Sequence, residues 1–343
     1  MQTSKHILVI RMSAMGDVAM TVPVLKTLLK QNPTLKITVA SKEFLKPLFN
    51  DIENLFFYEV DTTKKHKGFW GIFKLYTELK KLNIDAVADL HNVLRSKLLR
   101  TLFKISGIPV SFINKGRSEK KKLTSLTNKI FQPLKTTHQR YAEVFCELGF
   151  TTSLKNASFK KKEVLSNPLK LLTHYKANQT FIGIAPFAAH EGKKYPLEFM
   201  EEVIVELAKT HKILLFGGGQ SEIEALTRLS KKHNNTLCIA GQVQLKDELT
   251  IISNLSAMIS MDSGNGHFSA LYGVPTITIW GATHPYAGFA PFKQQNNCIC
   301  ADRNQFPLLP TSIYGNKTIP GYEKVMYSIP PKTIIDKVLA ILK

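Results

Sequence analysis

Short apolar runs alternate with amphipathic stretches along almost the whole chain. His6–Ile10, Ile37–Ala40, Phe56–Val60 and Ala86–Leu90 read as buried-type strands. Between and after them Val18–Lys30, Phe44–Phe49, Trp70–Leu82 and Leu94–Phe103 place apolar residues at helical spacing, and Pro23 is tolerable early in the first of these helices. His138–Leu148 closes the series as a helix. Residues 151–180 are polar and lysine-rich, with helical character only over 168–175, and read as a linker. The pattern then starts again. Strands are predicted at Phe181–Ala185, Lys212–Phe216, Thr236–Ile239, Ala257–Met261 and Thr276–Trp280. Helices are predicted over 197–209, 222–233, 245–253 and 267–272, with a last one over 333–342. Strands this apolar, alternating with helices, imply two parallel sheets, each covered on both faces. Residues 286–328 show no organising period.

One loop carries chemistry. Asp262-Ser263-Gly264-Asn265-Gly266 follows a strand and precedes a helix predicted to begin at His267. A helix start offers unpaired N–H groups and the positive end of the macrodipole to an anion. Gly264 and Gly266 would let the backbone approach a pyrophosphate closely. His267 would donate to a phosphate oxygen, and Asp262 would accept from sugar hydroxyls. A plain strand–helix turn capped by Asp262 and Ser263 fits the same residues.

The 343 residues suit two domains of ordinary size, and 44% hydrophobic with 21% charged residues excludes wholesale disorder. Four scattered cysteines form no disulfide scaffold. Cys298-x-Cys300 lacks a zinc-knuckle spacing, so thiols in a reducing compartment are expected. No apolar run approaches a membrane span, and Ile7–Ile10 is too short for a signal-peptide core, which points to the cytoplasm. The net charge of +20 is uneven. Residues 1–150 hold 25 Lys and Arg against 12 Asp and Glu, whereas 181–290 hold 8 against 10. Residues 61–122 alone carry 15 against 5, with runs at Lys64-Lys65-His66-Lys67 and Lys115–Lys122. The first domain therefore suits an anionic partner: nucleic acid, a phosphorylated glycan or an anionic membrane. Aromatics are not interleaved with these lysines, which argues against a single-strand nucleic-acid platform.

Three motifs together are more specific. Arg11-x-Ser13-x-Met15-Gly16-Asp17, Lys193-x-Tyr195-Pro196 and Asp262-Ser263-Gly264-x-x-His267 resemble the signatures of family 9 glycosyltransferases, the lipopolysaccharide heptosyltransferases. Gly281-Ala282-Thr283-His284-Pro285 fits that family's loop after the next strand. The resemblance implies an α/β GT-B fold, two Rossmann-like domains facing a central cleft. Residues 1–165 would bind the acceptor and 175–330 the donor, with the helix at 332–343 packing back on the first domain. The implied reaction is transfer of heptose from ADP-heptose to a lipopolysaccharide core or lipid A-type acceptor, with inversion and without a metal or other cofactor.

The resemblance also assigns residues. Asp17 would be the general base, a helix cap being the alternative, and Lys193 would neutralise the diphosphate. Asp262 would hold heptose hydroxyls, while Ser263, Gly264 and His267 would line the phosphates, with Gly16 also on the donor side. Val243 would pack the adenine and Glu222 would hold the ribose. Asp89-x-His91-x-x-x-Arg95-Ser96 is similar to the family's acceptor segment, where Asp89, Arg95 and Ser96, with Lys64 and Lys67, would meet an acidic sugar. Two departures stand out: Ala188-Ala189 replace hydroxyl residues of some members, and Ala14 replaces a serine. The expected partners are a nucleotide-sugar and an anionic glycolipid, with a monomer held peripherally at the cytoplasmic face of the inner membrane and no nucleic acid. Another nucleotide-sugar or acceptor on the same fold is the alternative, and a basic nucleic-acid-binding protein is the reading from another class.

Overall fold

The computed structural model describes residues 5–177 and 179–343. Residues 1–4, at the start of the expected first domain, and Asn178, in the expected linker, lie outside the described residues. The chain forms two compact units. One runs to Lys115 and takes in Thr137–Ser158; the other comprises Gly116–Thr136 and Phe159–Lys343. The segment 116–136, expected in the first domain, thus belongs to the second unit.

The first unit opens with β1 (His6–Ile10), α1 (Met15–Ala19), α2 (Thr21–Gln31), β2 (Lys36–Ser41) and β3 (Leu55–Glu59). It continues through α3 (Gly68–Lys80), β4 (Ala86–Asp89), α4 (Leu94–Ile105) and β5 (Val110–Phe112). The single helix expected over Val18–Lys30 is two helices, because the Pro23 ring is incompatible with a helical carbonyl four residues back, at Ala19. Thr21 Oγ1 donates to the Val18 carbonyl (2.7 Å) at the break. The helix expected over Phe44–Phe49 is a 3-10 helix containing Pro47. The sheet is parallel, in the order β3-β2-β1-β4-β5, with Ile10 in register with both Ala40 and Asp89. Leu8, Ile10 and Val87 of the strands pack against Ile72, Leu75 and Leu79 of α3 and Leu99 and Phe103 of α4.

After α5 (Arg117–Leu123), which lies in the second unit, α6 (Thr137–Glu147) completes the first. The lysine run at 115–122 is largely this helix. Lys120 is buried with Nζ 4.0 Å above the Phe289 ring, and Leu123 is fully buried.

The second unit continues with α7 (Asn167–Leu172), β6 (Phe181–Ala185), α8 (Leu197–Ala208), β7 (Lys212–Leu215) and α9 (Gln220–Lys232). Then come β8 (Thr236–Cys238), α10 (Leu245–Ile252), β9 (Ala257–Met261), α11 (Gly264–Leu271), β10 (Thr276–Trp280), β11 (Cys298–Cys300) and α12 (Pro331–Leu342). The parallel order β11-β10-β9-β6-β7-β8 is that of a Rossmann sheet, and the first sheet follows the same order with one strand fewer. The two cysteines left without a role by sequence sit on edge strand β11, where burial pushes their thiols up to about 11 (Cys298) and about 12 (Cys300). Protonated thiols are poor nucleophiles.

The expectation that the C-terminal helix packs on the first domain is corrected. Ile334 and Val338 of α12 are fully buried in the second unit's own core, against α8, β9 and β10. Two such side chains, each worth about 1.5–3 kcal/mol on burial, fix the helix there. Among the described residues no helix is long and apolar enough to cross a membrane.

Candidate active site

In an open parallel sheet, ligands bind beyond the carboxyl ends of the strands, where the strand order reverses. That point lies between β1 and β4 in the first unit and between β6 and β9 in the second. The loops leaving these four strands hold the motif residues.

In the first unit, Arg11 leaves β1 and is buried. Its NH1 donates to the Leu90 carbonyl (2.8 Å) and its NH2 meets Asp17 Oδ2 at 2.5 Å. Asp17 lies in the first turn of α1, three residues after the N-cap Ala14, and its Oδ2 faces the Ala14 N–H at 3.4 Å in the manner of a capping box. The buried Tyr141 hydroxyl donates to the Asp17 carbonyl (3.3 Å). His91, after β4, brings Nε2 to 3.4 Å from Ser13 Oγ. Burial, reinforced by Arg11 and Lys115, holds His91 down at about 3, so it is neutral at pH 7. Asp17 is thus a half-exposed carboxylate fixed on one oxygen by a buried cation. Among the described residues its Oδ1 carries no hydrogen bond.

Two acceptor-side residues, Asp89 and Ser96, are held by the loop itself. Asp89 is fully buried and accepts from the His91 and Asn92 N–H groups and from Arg100 (2.9 Å), so it shapes the loop. Ser96 is also fully buried, its hydroxyl exchanging hydrogen bonds with the Val93 backbone at the start of α4. Arg95 is half-buried and close enough to His91 to depress its pKa. Lys64 and Lys67 are exposed on the loop after β3, the edge strand two positions from β1. Gly16 lies beside Asp17 in α1, in the first unit.

In the second unit, Lys193 ends a 3-10 turn after β6, and Asp262 follows β9. Their side chains pair at 2.7 Å, both largely buried, and Thr283 Oγ1 donates to the same Asp262 oxygen (3.3 Å). Gly315 gives the Lys193 stem room, since a Cβ there would lie 2.6 Å from Lys193 Cγ. α11 begins at Gly264, three residues earlier than expected. The N–H groups at its start are therefore those of Gly264, Asn265 and Gly266, while His267 is the fourth helical residue and buried. Ser263 occupies the cap without capping, and its buried Oγ has no partner among the described residues.

Gly266 is required by packing, because a Cβ would collide with Ser260 Oγ of β9. Gly266→Ala is expected to destabilise the protein by about 1–3 kcal/mol. Adding Ser260→Ala should recover much of that in a urea titration. Glu222, in the first turn of α9, accepts from the Gly218 N–H (2.9 Å), and Val243 is half-buried on the loop before α10. Ala188 packs in the core, so a hydroxyl at that position would face apolar neighbours.

A family model described as glycosyltransferase family 9 (heptosyltransferase) matches residues 72–313. The chain belongs to that family. It is 23% identical over 309 residues to the lipopolysaccharide core heptosyltransferase OpsX of Haemophilus influenzae, spanning 87% of this chain and 85% of that protein. The family 9 glycosyltransferase of Veillonella parvula matches with a TM-score of 0.77 at 20% identity, covering 100% of this chain and 98% of that one. The E. coli heptosyltransferase WaaC, solved with ADP, matches at 0.68 and 18%, covering 98% and 99%. The two sheets are therefore those of a GT-B glycosyltransferase.

The matched span of this family 9 enzyme contains Lys193, Glu222, Val243 and Asp262–His267, and leaves Asp17 outside. Sequence reading missed four residues that lie in or beside these loops. Arg11, His91 and Thr283 stood inside the quoted motifs, but their partners Leu90, Ser13 and Asp262 follow other strands. Glu248 of α10 carried no signal at all. It accepts from Asn265 in the first turn of α11 (2.8 Å), and burial, only partly opposed by that bond, pushes its carboxyl up to about 7. A raised carboxyl pKa contributes stability that is complete below the unfolded value and is lost as pH rises through 7. Glu248→Gln keeps an acceptor for Asn265. It is expected to be the more stable protein near pH 8.5, by up to about 3 kcal/mol, with the gap closing towards pH 5. Urea midpoints at the two pH values check this.

Proposed function

We propose that the enzyme transfers heptose from ADP-heptose to a lipopolysaccharide core or lipid A-type acceptor, an anionic glycolipid, with inversion at the anomeric carbon. The observation that carries the reading is the Lys193–Asp262 pair beside the start of α11, with the buried, unpartnered Ser263 hydroxyl between strand and helix. A cation, free helix N–H groups and an orphaned hydroxyl make a set of donors for a diphosphate. The relatives support the choice of sugar and acceptor: OpsX is named a lipopolysaccharide core heptosyltransferase, and WaaC was solved with ADP.

In this reading the acceptor oxygen attacks the anomeric carbon as its proton passes to Asp17 Oδ1. The bond to the β-phosphate breaks, and ADP leaves with the electron pair. Lys193, the α11 N–H groups and Ser263 stabilise the charge that develops on the diphosphate. Asp262 holds heptose hydroxyls and His267 lines the phosphates, while Glu222 and Val243 take the ribose and adenine. Arg95, with Lys64 and Lys67, meets the acidic acceptor, and no metal is required. The protein works as a monomer, peripherally at the cytoplasmic face of the inner membrane.

Thermal stabilisation by nucleotides tests the donor. ADP and ADP-heptose at a hundred times their Kd should each add about 2.7 kcal/mol, with UDP and GDP adding little. A shift for UDP or GDP alone would keep the fold and replace the donor.

A further inference from the structure

We propose that the exposed face of α3, with the neighbouring face of α4, is the surface by which the protein docks on an anionic lipid bilayer. This deepens the membrane association stated above by assigning it to residues, and it concerns the bilayer itself, not the acceptor.

Phe69 and Trp70 in the first turn of α3 are 65% and 79% exposed, and Phe73, one turn on, is half exposed. The same helix buries Ile72, Leu75, Tyr76 and Leu79 in the core, so it is firmly seated and apolar on both sides. α4 packs alongside and exposes Leu94 (75%) and Leu98. Single exposed apolar side chains are ordinary, but a contiguous aromatic patch on a monomer marks an interaction surface.

The charges around the patch select the partner. Residues 61–105 hold ten Lys and Arg against four Asp and Glu. All four acids are engaged by hydrogen bonds or ion pairs within the first unit. Asp61 accepts from the Thr63, Lys64 and Lys65 N–H groups, and Glu78 binds Tyr58, Lys65 and His66. Asp85 accepts from the His6 N–H, and Asp89 pairs with Arg100. Burial pushes the Glu78 carboxyl up, but its hydrogen bonds outweigh that and hold it at about 2. Lys64, Lys67, Lys74 and Lys97 are left facing outward. The lysine loop is also held against α3, because Gly71 has no Cβ to strike the buried His66 backbone.

Aromatic rings ringed by lysines match the interface of an anionic bilayer, where rings enter the headgroup level and ammonium groups meet lipid phosphates. Each lysine near such a surface is worth roughly fivefold in partitioning. A second copy of the chain fits worse, since its own lysine rim would oppose this one.

The test uses the full chain with vesicles of phosphatidylcholine, with or without phosphatidylglycerol, and no glycolipid or nucleotide-sugar. It therefore reads the surface independently of transferase activity. The chain has two tryptophans, Trp70 exposed and Trp280 fully buried, so a lipid-induced blue shift reports Trp70. The wild type should sediment with the anionic vesicles, lose binding as salt rises, and show a blue shift that W70F abolishes. F69S/W70S/F73S and K74E/K97E should each lower partitioning at least tenfold while keeping the ADP-induced thermal shift. Three results would each overturn the proposal. One is equal sedimentation with neutral and anionic vesicles. Another is wild-type binding by the triple variant. The third is a blue shift on concentration alone, accompanied by a dimer in sedimentation velocity, which would assign the face to self-association.

Discussion

Asp17→Asn is expected to lower kcat by about 10²–10⁴-fold, the range for loss of a general base, and to leave ADP binding unchanged. Asparagine keeps the size of the side chain and an oxygen for Arg11, whose buried guanidinium reaches Asp17 at 2.5 Å. The first unit should therefore stay folded, with a melting temperature near that of the wild type. Asp17→Ala is the contrasting variant, because it strips Arg11 of its partner and adds a stability loss to the catalytic one. Turnover by D17N within a few-fold of the wild type would remove Asp17 from the chemistry. A loss in D17N that merely tracked lost stability would make Asp17 a structural partner of Arg11.

Lys193→Ala carries the second large effect, on two separable readouts. The lysine and Asp262 form a largely buried pair at 2.7 Å, and among the described residues truncation leaves the Asp262 carboxylate with the Thr283 hydroxyl alone. Breaking such a pair on one side typically costs about 3–5 kcal/mol, so the melting temperature should fall by roughly 10 °C. The ADP-induced shift should also disappear. The double variant K193A/D262N separates the two effects. Removing the orphaned charge should restore much of the stability without restoring ADP binding. Recovery of both would place the effect of Lys193 wholly in the fold.

Much of the architecture was readable because the strands are buried on both faces. Ile182, Ile184, Ile259 and Met261 belong to near-continuous apolar runs that mark a parallel sheet. The motif loops were readable for a related reason, since each directly follows such a strand. What escaped is decided by distant contacts. Gly264, Asn265 and Gly266 are poor helix formers, yet α11 starts there because Gly266 can sit against Ser260 of β9. The break at Met20 follows from Pro23, whose place early in an amphipathic run is compatible from sequence with one helix. Asp89 and Ser96 stood in an acceptor-like motif, and only the positions of Arg100 and the Val93 backbone show that they serve the loop. Similarly, no local pattern announces that the lysine-rich 116–136 segment folds with residues beyond 159, or that α12 buries Ile334 and Val338 in the second unit.

The central claim is a metal-independent, inverting transfer of heptose. Its most direct test is to incubate the purified enzyme with ADP-heptose and lipopolysaccharide truncated before its heptoses, in the presence of EDTA. Product mass and anomeric configuration are then read by mass spectrometry and NMR. One added heptose per acceptor, an equal amount of ADP and an inverted anomeric centre are predicted. ADP release without an added sugar, or a product that retains the donor's configuration, would contradict the account.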